Sequence, residues 1–201
     1  MRKAIRMLAV LAAAVCFTNL HEAEHTLKQV ENSVIRLHVL ADSDSLADQT
    51  NKLLVRDAIL QKAGEWVPSG CGRDAAYAAL NDALPEIQET AERTLREAGS
   101  SDAVSVRLEE TDFPERSYGS ITLPAGQYQA LRVEIGTAAG QNWWCVMYPA
   151  MCIPASAEQT LTDTLDADAC EMLTEPEHYE LRLKCVDAWR AAVRWVKQQL
   201  G

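Results

Sequence analysis

SYGSITLPAGQYQALRVEIGTAAGQNWWCVMYPAMC, residues 117–152, places three strand signals within a few dozen positions. Ile121 and Leu123 lead into Pro124-Ala125-Gly126, where Pro presets φ for a turn and Gly accepts the positive φ that other residues resist. The expectation is a hairpin joining strands near 117–123 and 127–136. In the second strand Leu131, Val133 and Ile135 alternate with Ala130, Arg132 and Glu134, giving one apolar and one mixed face. After Gly140-Gln141-Asn142 a third strand runs from Trp143 to Tyr148. Alternation puts Trp143, Cys145 and Met147 on one face and Trp144, Val146 and Tyr148 on the other. Two readings of the adjacent Trp stay open. Both rings are core, since aromatics bury the largest apolar area, or one is an interface anchor.

Outward from this stretch, the first strand signal is SVIRLHVL, residues 33–40, and VSVRLE, residues 104–109, alternates as another. Ser45, with Asp48 three residues on, has capping-box spacing for a helix near 46–67. Tyr77, Leu80, Leu84, Ile87, Ala91 and Leu95 form one stripe of a helix near 74–98. Pro85 lies inside it, where it kinks the helix or starts a new one. Residues 154–175, rich in Ala, Thr, Asp and Glu, read as an acidic linker. The last helix, 176–199, carries Tyr179, Leu183, Val186, Trp189, Val193, Val196 and Leu200 at three- and four-residue steps. The expected fold class is therefore α+β: a mainly antiparallel five-stranded sheet covered by helices, in one domain over 33–153 with the C-terminal helix packed on it.

The chain has 201 residues, 48% hydrophobic, enough for one sizeable core. Lys+Arg number 19 against 29 Asp+Glu, a net charge of −10, which argues against nucleic acid or anionic lipid as the main partner. Arg2, Lys3 and Arg6 precede an apolar run from Met7 to Phe17, shorter than the roughly 20 residues a spanning helix needs. Residues 1–18 thus read as a signal peptide or retained N-terminal anchor, and the chain as exported. Residues 19–32 read as a solvated tail.

Candidate chemistry is sparse. His21-Glu22-Ala23-Glu24-His25 matches H-E-x-x-H, whose two His share a helix face and hold zinc while Glu acts as general base. It lies beside the targeting segment with no third ligand nearby, so a zinc peptidase is an alternative rather than the reading. Asp42-Ser43-Asp44-Ser45 fails as a calcium loop, because Leu46 and Ala47 stand where an oxygen ligand and Gly are required. No small-molecule or phosphate-binding motif occurs, and no cofactor is expected. Cys145 and Cys152, flanking Tyr148-Pro149, make the favoured disulfide, a contribution of about 2–3 kcal/mol; both thiols staying reduced is the other reading.

Three blocks together resemble the stage II sporulation protein R family of endospore-forming bacteria. They are Ile35 to Ser45 with Val55-Arg56-Asp57-Ala58; Tyr118-Gly119 through Leu123-Pro124-Ala125-Gly126-Gln127-Tyr128; and Gly140-Gln141-Asn142-Trp143-Trp144-Cys145-Val146 with Pro149 and Cys152. Ala41 and Ala150 stand where the family has Asn and Pro. The resemblance implies a signalling protein rather than an enzyme, exported across the forespore membrane into the space between the two sporulation membranes. There it activates a membrane-embedded aspartic protease that cleaves the pro-sequence from a mother-cell sigma-factor precursor. Contact residues are then expected around Tyr118, Trp143, Trp144 and Tyr148. A cell-wall or glycan-binding module using exposed aromatics is a further alternative.

Overall fold

A computed structural model describes residues 18, 20–149, 161 and 165–200. Helix α1 occupies residues 20–33. It is followed by β1 (Ile35–Leu40), α2 (Leu46–Trp66), α3 (Arg73–Glu97) and β2 (Val104–Phe113). Then come β3 (Arg116–Tyr118), β4 (Ile121–Leu123), β5 (Gly126–Ile135), β6 (Asn142–Tyr148), α4 (Ala167–Thr174) and α5 (Pro176–Leu200).

The architecture is α+β, with two sheets instead of one of five strands. A four-stranded sheet has the order β2-β5-β1-β6, and β3 and β4 form a separate ribbon. β1 pairs parallel with β5 and antiparallel with β6, while β2 pairs antiparallel with β5 over its whole length. All six residues of β1 are buried, as expected for a strand covered on both faces.

The expected hairpin does not form. β5 is a strand, with the apolar face foreseen, but both its edges are taken by β2 and β1. Ile121–Leu123 therefore pairs back onto Arg116–Tyr118, through a turn where Gly119 takes φ +62°. Pro124 instead carries the chain from ribbon to sheet, and its carbonyl accepts a 2.7 Å hydrogen bond from the Tyr128 hydroxyl.

Helices α2 and α3 cover one face of the sheet, where Ile35, Leu37, Val39, Leu131, Val133, Cys145 and Met147 meet Val55, Ile59, Leu80 and Ile87. Ser45 caps α2 as its spacing predicts, accepting from the Asp48 amide at 3.1 Å. α3 continues through Pro85 as one helix.

The opposite face corrects two sequence readings. Residues 20–33 are a helix, not a tail, because Ala23, Leu27, Val30 and Val34 recur at three- and four-residue steps and are buried in the second core. The Glu-rich surroundings of that stripe disguise it. Within the supposed linker, Asp166 caps α4, which buries Ala169, Met172 and Leu173 in the same core. Residues 154–160 and 162–164 of the linker, like the signal segment apart from Thr18, lie outside the described residues.

Glu31 ties this second layer to the sheet. It accepts from the Gln127 amide at 3.1 Å and from Arg190 of α5 at 2.8 and 3.3 Å. Gly126 allows the approach: a Cβ there would sit 2.3 Å from Glu31 Oε1.

Candidate functional site

The Trp pair lies on β6, next to β1, with Val39 opposite Trp143 and His38 opposite Trp144. Strand alternation sends the two rings to opposite faces, as the sequence requires. Trp143 packs on the α2/α3 side, where the Arg56 guanidinium lies 4.2 Å from its ring centre. Trp144 packs on the other side, stacked on the His38 ring at 3.8 Å and edge-on to Phe113 at 4.7 Å. Both rings are half-buried, so each serves as core and keeps a rim.

Beneath Trp144 is a cluster that sequence reasoning missed. Arg36 is fully buried, its guanidinium 4.2 Å from the Phe113 ring centre, 4.9 Å from Tyr128 and 5.6 Å from Tyr118. Its Nη2 donates to the Tyr118 hydroxyl at 2.7 Å and its Nε to the Cys145 carbonyl at 3.4 Å. Ring faces are electron-rich, so this aromatic box stabilises a cation that burial alone disfavours. Desolvation lowers the Arg36 pKa, while the two tyrosines raise it. Desolvation likewise raises the Tyr128 and Tyr118 pKa values. The alternation of SVIRLHVL placed Arg36 and His38 on one face; nothing in it signalled that this face would be covered by α1.

His38 is 3% exposed and pushed down to about 4 by burial, so its ring is neutral at pH 7. Its Nε2 meets Asn142 Oδ1 at 2.8 Å. An amide oxygen only accepts, so the ring proton sits on Nε2. Nδ1 has no hydrogen-bond partner among the described residues.

Two sequence blocks meet at the end of this strand pair. Asp42 accepts from the Thr137 amide at 2.6 Å and its hydroxyl at 2.9 Å. Asp44 accepts from the Gln141 amide at 2.7 Å, and Lys52 donates to the Gln141 carbonyl at 3.0 Å. Gly136, at φ +58°, and Gly140 lie so close to Asp42 and to the Ser43 carbonyl that a Cβ would come within 2.2 and 2.3 Å. The aspartates thus fasten the β5–β6 loop to the β1–α2 loop.

Tyr118 and Trp144 come together, since the Tyr118 hydroxyl that holds Arg36 also lies 3.4 Å from the Trp144 carbonyl. Trp143 is on the far face. Tyr148, at the other end of β6, packs on the α2/α3 side and not on the Trp144 face that alternation predicts, because the register shifts opposite Ile35 and Arg36; it donates to the Cys71 carbonyl at 2.6 Å and borders a cavity of about 620 Å³ with His25, Lys28, Gln29 and Arg73. The four expected contact residues therefore occupy three places. Cys145 is buried and disulfide-bonded; its expected partner Cys152 lies outside the described residues.

His21, Glu22 and His25 are exposed on α1. Among the described residues, the group of His, Cys, Asp and Glu side chains close enough to share an ion is instead Glu171, Glu175 and His178, all exposed at the α4–α5 elbow.

A family model described as stage II sporulation protein R matches residues 31–158. A Bacillus subtilis (strain 168) protein named stage II sporulation protein R is 33% identical over 147 residues, which is 73% of this chain and 66% of that protein. The match thus spans just under two thirds of the relative's length. No solved structure matches the chain.

Proposed function

Because the chain belongs to the stage II sporulation protein R family, and so has a role in sporulation, we propose that it is an exported signal that activates a membrane-embedded aspartic protease. The protease then matures a mother-cell sigma-factor precursor. In this reading the protein crosses the forespore membrane and acts from the intermembrane space by binding, with no chemistry of its own.

The observation that carries the reading is the family match over 31–158, which takes in every strand and both Trp. Binding rather than catalysis is supported by how the matched segment uses its polar side chains. His38 is neutral and paired, Asp42 and Asp44 hold loop amides, and Arg36 holds Tyr118. Large, rigid aromatic area is what interfaces use most. Trp143 and Trp144 lie on opposite faces, so one flat partner surface engages one of them, with Tyr118 as neighbour to Trp144 and Arg56 as neighbour to Trp143. Cys145 is proposed to pair with Cys152, which peptide mass analysis after alkylation without reductant tests; labelling of both thiols refutes it.

The functional test is co-expression with the protease and the sigma-factor precursor, followed by immunoblot for the shortened product. Trp143→Ala and Trp144→Ala are scored only if circular dichroism shows them folded. A folded variant that fails to trigger cleavage marks the contact ring; normal cleavage with both removes the Trp pair from the interface. His21→Ala and Glu22→Ala are expected to activate normally. Loss of cleavage in both, with export intact, would favour the zinc peptidase.

A further inference from the structure

The cavity of about 620 Å³ beside Tyr148 departs from the composition of the chain around it. Its described lining brings His25, Lys28 and Gln29 of α1 together with Gly72 and Arg73 at the start of α3, and includes no Asp or Glu. The chain as a whole has 29 acidic residues and a net charge of −10. Two other hollows of its surface follow that balance, one holding Glu24, Glu31 and Glu110 and the other Glu115, Glu177 and Asp187. A pocket lined by bases alone therefore stands against the charge of the molecule, and an anion is what it complements.

The donors in it are held but not used up. The Arg73 guanidinium lies 5.5 Å from the Tyr77 ring centre, and its Nη1 donates to Asp74 at 3.0 Å. That carboxylate side chain is 96% exposed, so water screens the pair. Arg73 Nε is cut off from water and has no hydrogen-bond partner among the described residues. Gln29 Oε1 is in the same position, and turning that amide presents its NH₂ group to an anion. Lys28 meets Glu24 only at 3.8 Å, with its side chain 61% exposed. Gly72, the N-cap of α3, brings no side chain to the first amides of the helix, whose positive end adds to the field of the bases.

We propose that this cavity binds the oxyanion group, phosphate or carboxylate, of a small molecule. Arg73 and Lys28 supply the charge, and Gln29 and the first amides of α3 supply further donors. The volume lies within the range of small-molecule sites. Neither Trp143 nor Trp144 is among the described lining residues, so the inference does not rest on the signalling reading.

The test is calorimetric titration of the full chain with inorganic phosphate and with succinate at fixed ionic strength, with circular dichroism as the folding control for each variant. Saturable binding of at least one anion is expected, and the tighter of the two names the oxyanion. Lys28→Glu and Arg73→Gln are each expected to weaken it about tenfold, as the loss of one charge-assisted hydrogen bond does. Arg93→Glu makes the same change of net charge as Lys28→Glu on an exposed side chain of α3 outside the described lining, and is expected to leave binding unchanged. If Arg73→Gln does not fold, Lys28→Glu carries the test, because its exposed side chain holds no core contact. Three results would overturn the proposal: no saturable binding of either anion, unchanged binding in the folded cavity variants, or equal weakening by Arg93→Glu. The last would reduce the effect to overall charge.

Discussion

Neighbouring residues of β1 meet two different worlds. Leu37 and Val39 point into an aliphatic layer under α2 and α3, whereas Arg36 and His38 point into an aromatic, cation-bearing layer under α1, α4 and the β3–β4 ribbon. The first layer is held by area removed from water, which tolerates conservative exchange. The second depends on specific pairings, and each buried polar group there costs free energy if its partner is lost. One strand therefore carries an adaptable face and an exacting one.

The largest expected effect tests that contrast directly. Leu37→Ala removes a fully buried side chain and is expected to destabilise the domain by about 3–4 kcal/mol in denaturant unfolding. Arg36→Met, which removes the charge but keeps the volume, is expected to cost about 1 kcal/mol or less, because the desolvation penalty disappears with the pairing. If Arg36→Met equals or exceeds Leu37→Ala, the aromatic box contributes net stability as well as specific pairing.

A slightly smaller effect concerns pH. His38 is about 4 in the folded state against 6.5 in an exposed chain, so between these values the unfolded state binds more protons. Stability is fully present above about pH 6.5 and falls as pH drops toward 4, by up to about 3 kcal/mol. A His38→Phe variant is expected to flatten that stretch of the stability profile relative to the parent; an unchanged slope would show that other groups set it.

Glu31→Ala leaves Arg190 and the Gln127 amide without their shared acceptor. A loss of about 2–3 kcal/mol is expected, less than for a fully enclosed ion pair because both side chains retain some solvent contact. Hydrogen exchange is expected to rise in α5 before it rises in α3. Uniform exchange across both helices would mean that the two layers unfold as one. The smallest effect is at Ser45: Ser45→Ala is expected to cost about 1 kcal/mol through the lost cap, read as a shifted unfolding midpoint without change of slope.

The adaptable layer was the legible one. Periodicity in α2 and α3, the cap at Ser45 and alternation in β5 all have direct sequence signatures, since burial there follows residue type. The exacting layer was not. α1 hides a regular apolar stripe among glutamates, α4 is short and sits in acidic sequence, and Arg36 carries a charge that pattern reading assigns to solvent. The Pro124-Ala125-Gly126 hairpin failed for another reason: turn chemistry is local, whereas β5's edges had already been claimed by strands distant in sequence. Of the expected contacts, alternation correctly separated Trp143 from Trp144. That Tyr118 joins Trp144 depends on Arg36, which sequence spacing alone does not reveal.

The central position of β1 also governs the order in which the chain acquires structure. Both neighbours of this strand, β5 and β6, come from beyond residue 125, so the middle of the sheet stays open until most of the polypeptide is available. The α2–α3 pair has contacts that are near in sequence and forms early, while sheet closure waits on distant segments and sets the pace. A chain emerging N-terminus first thus stays pliable until its last strand arrives.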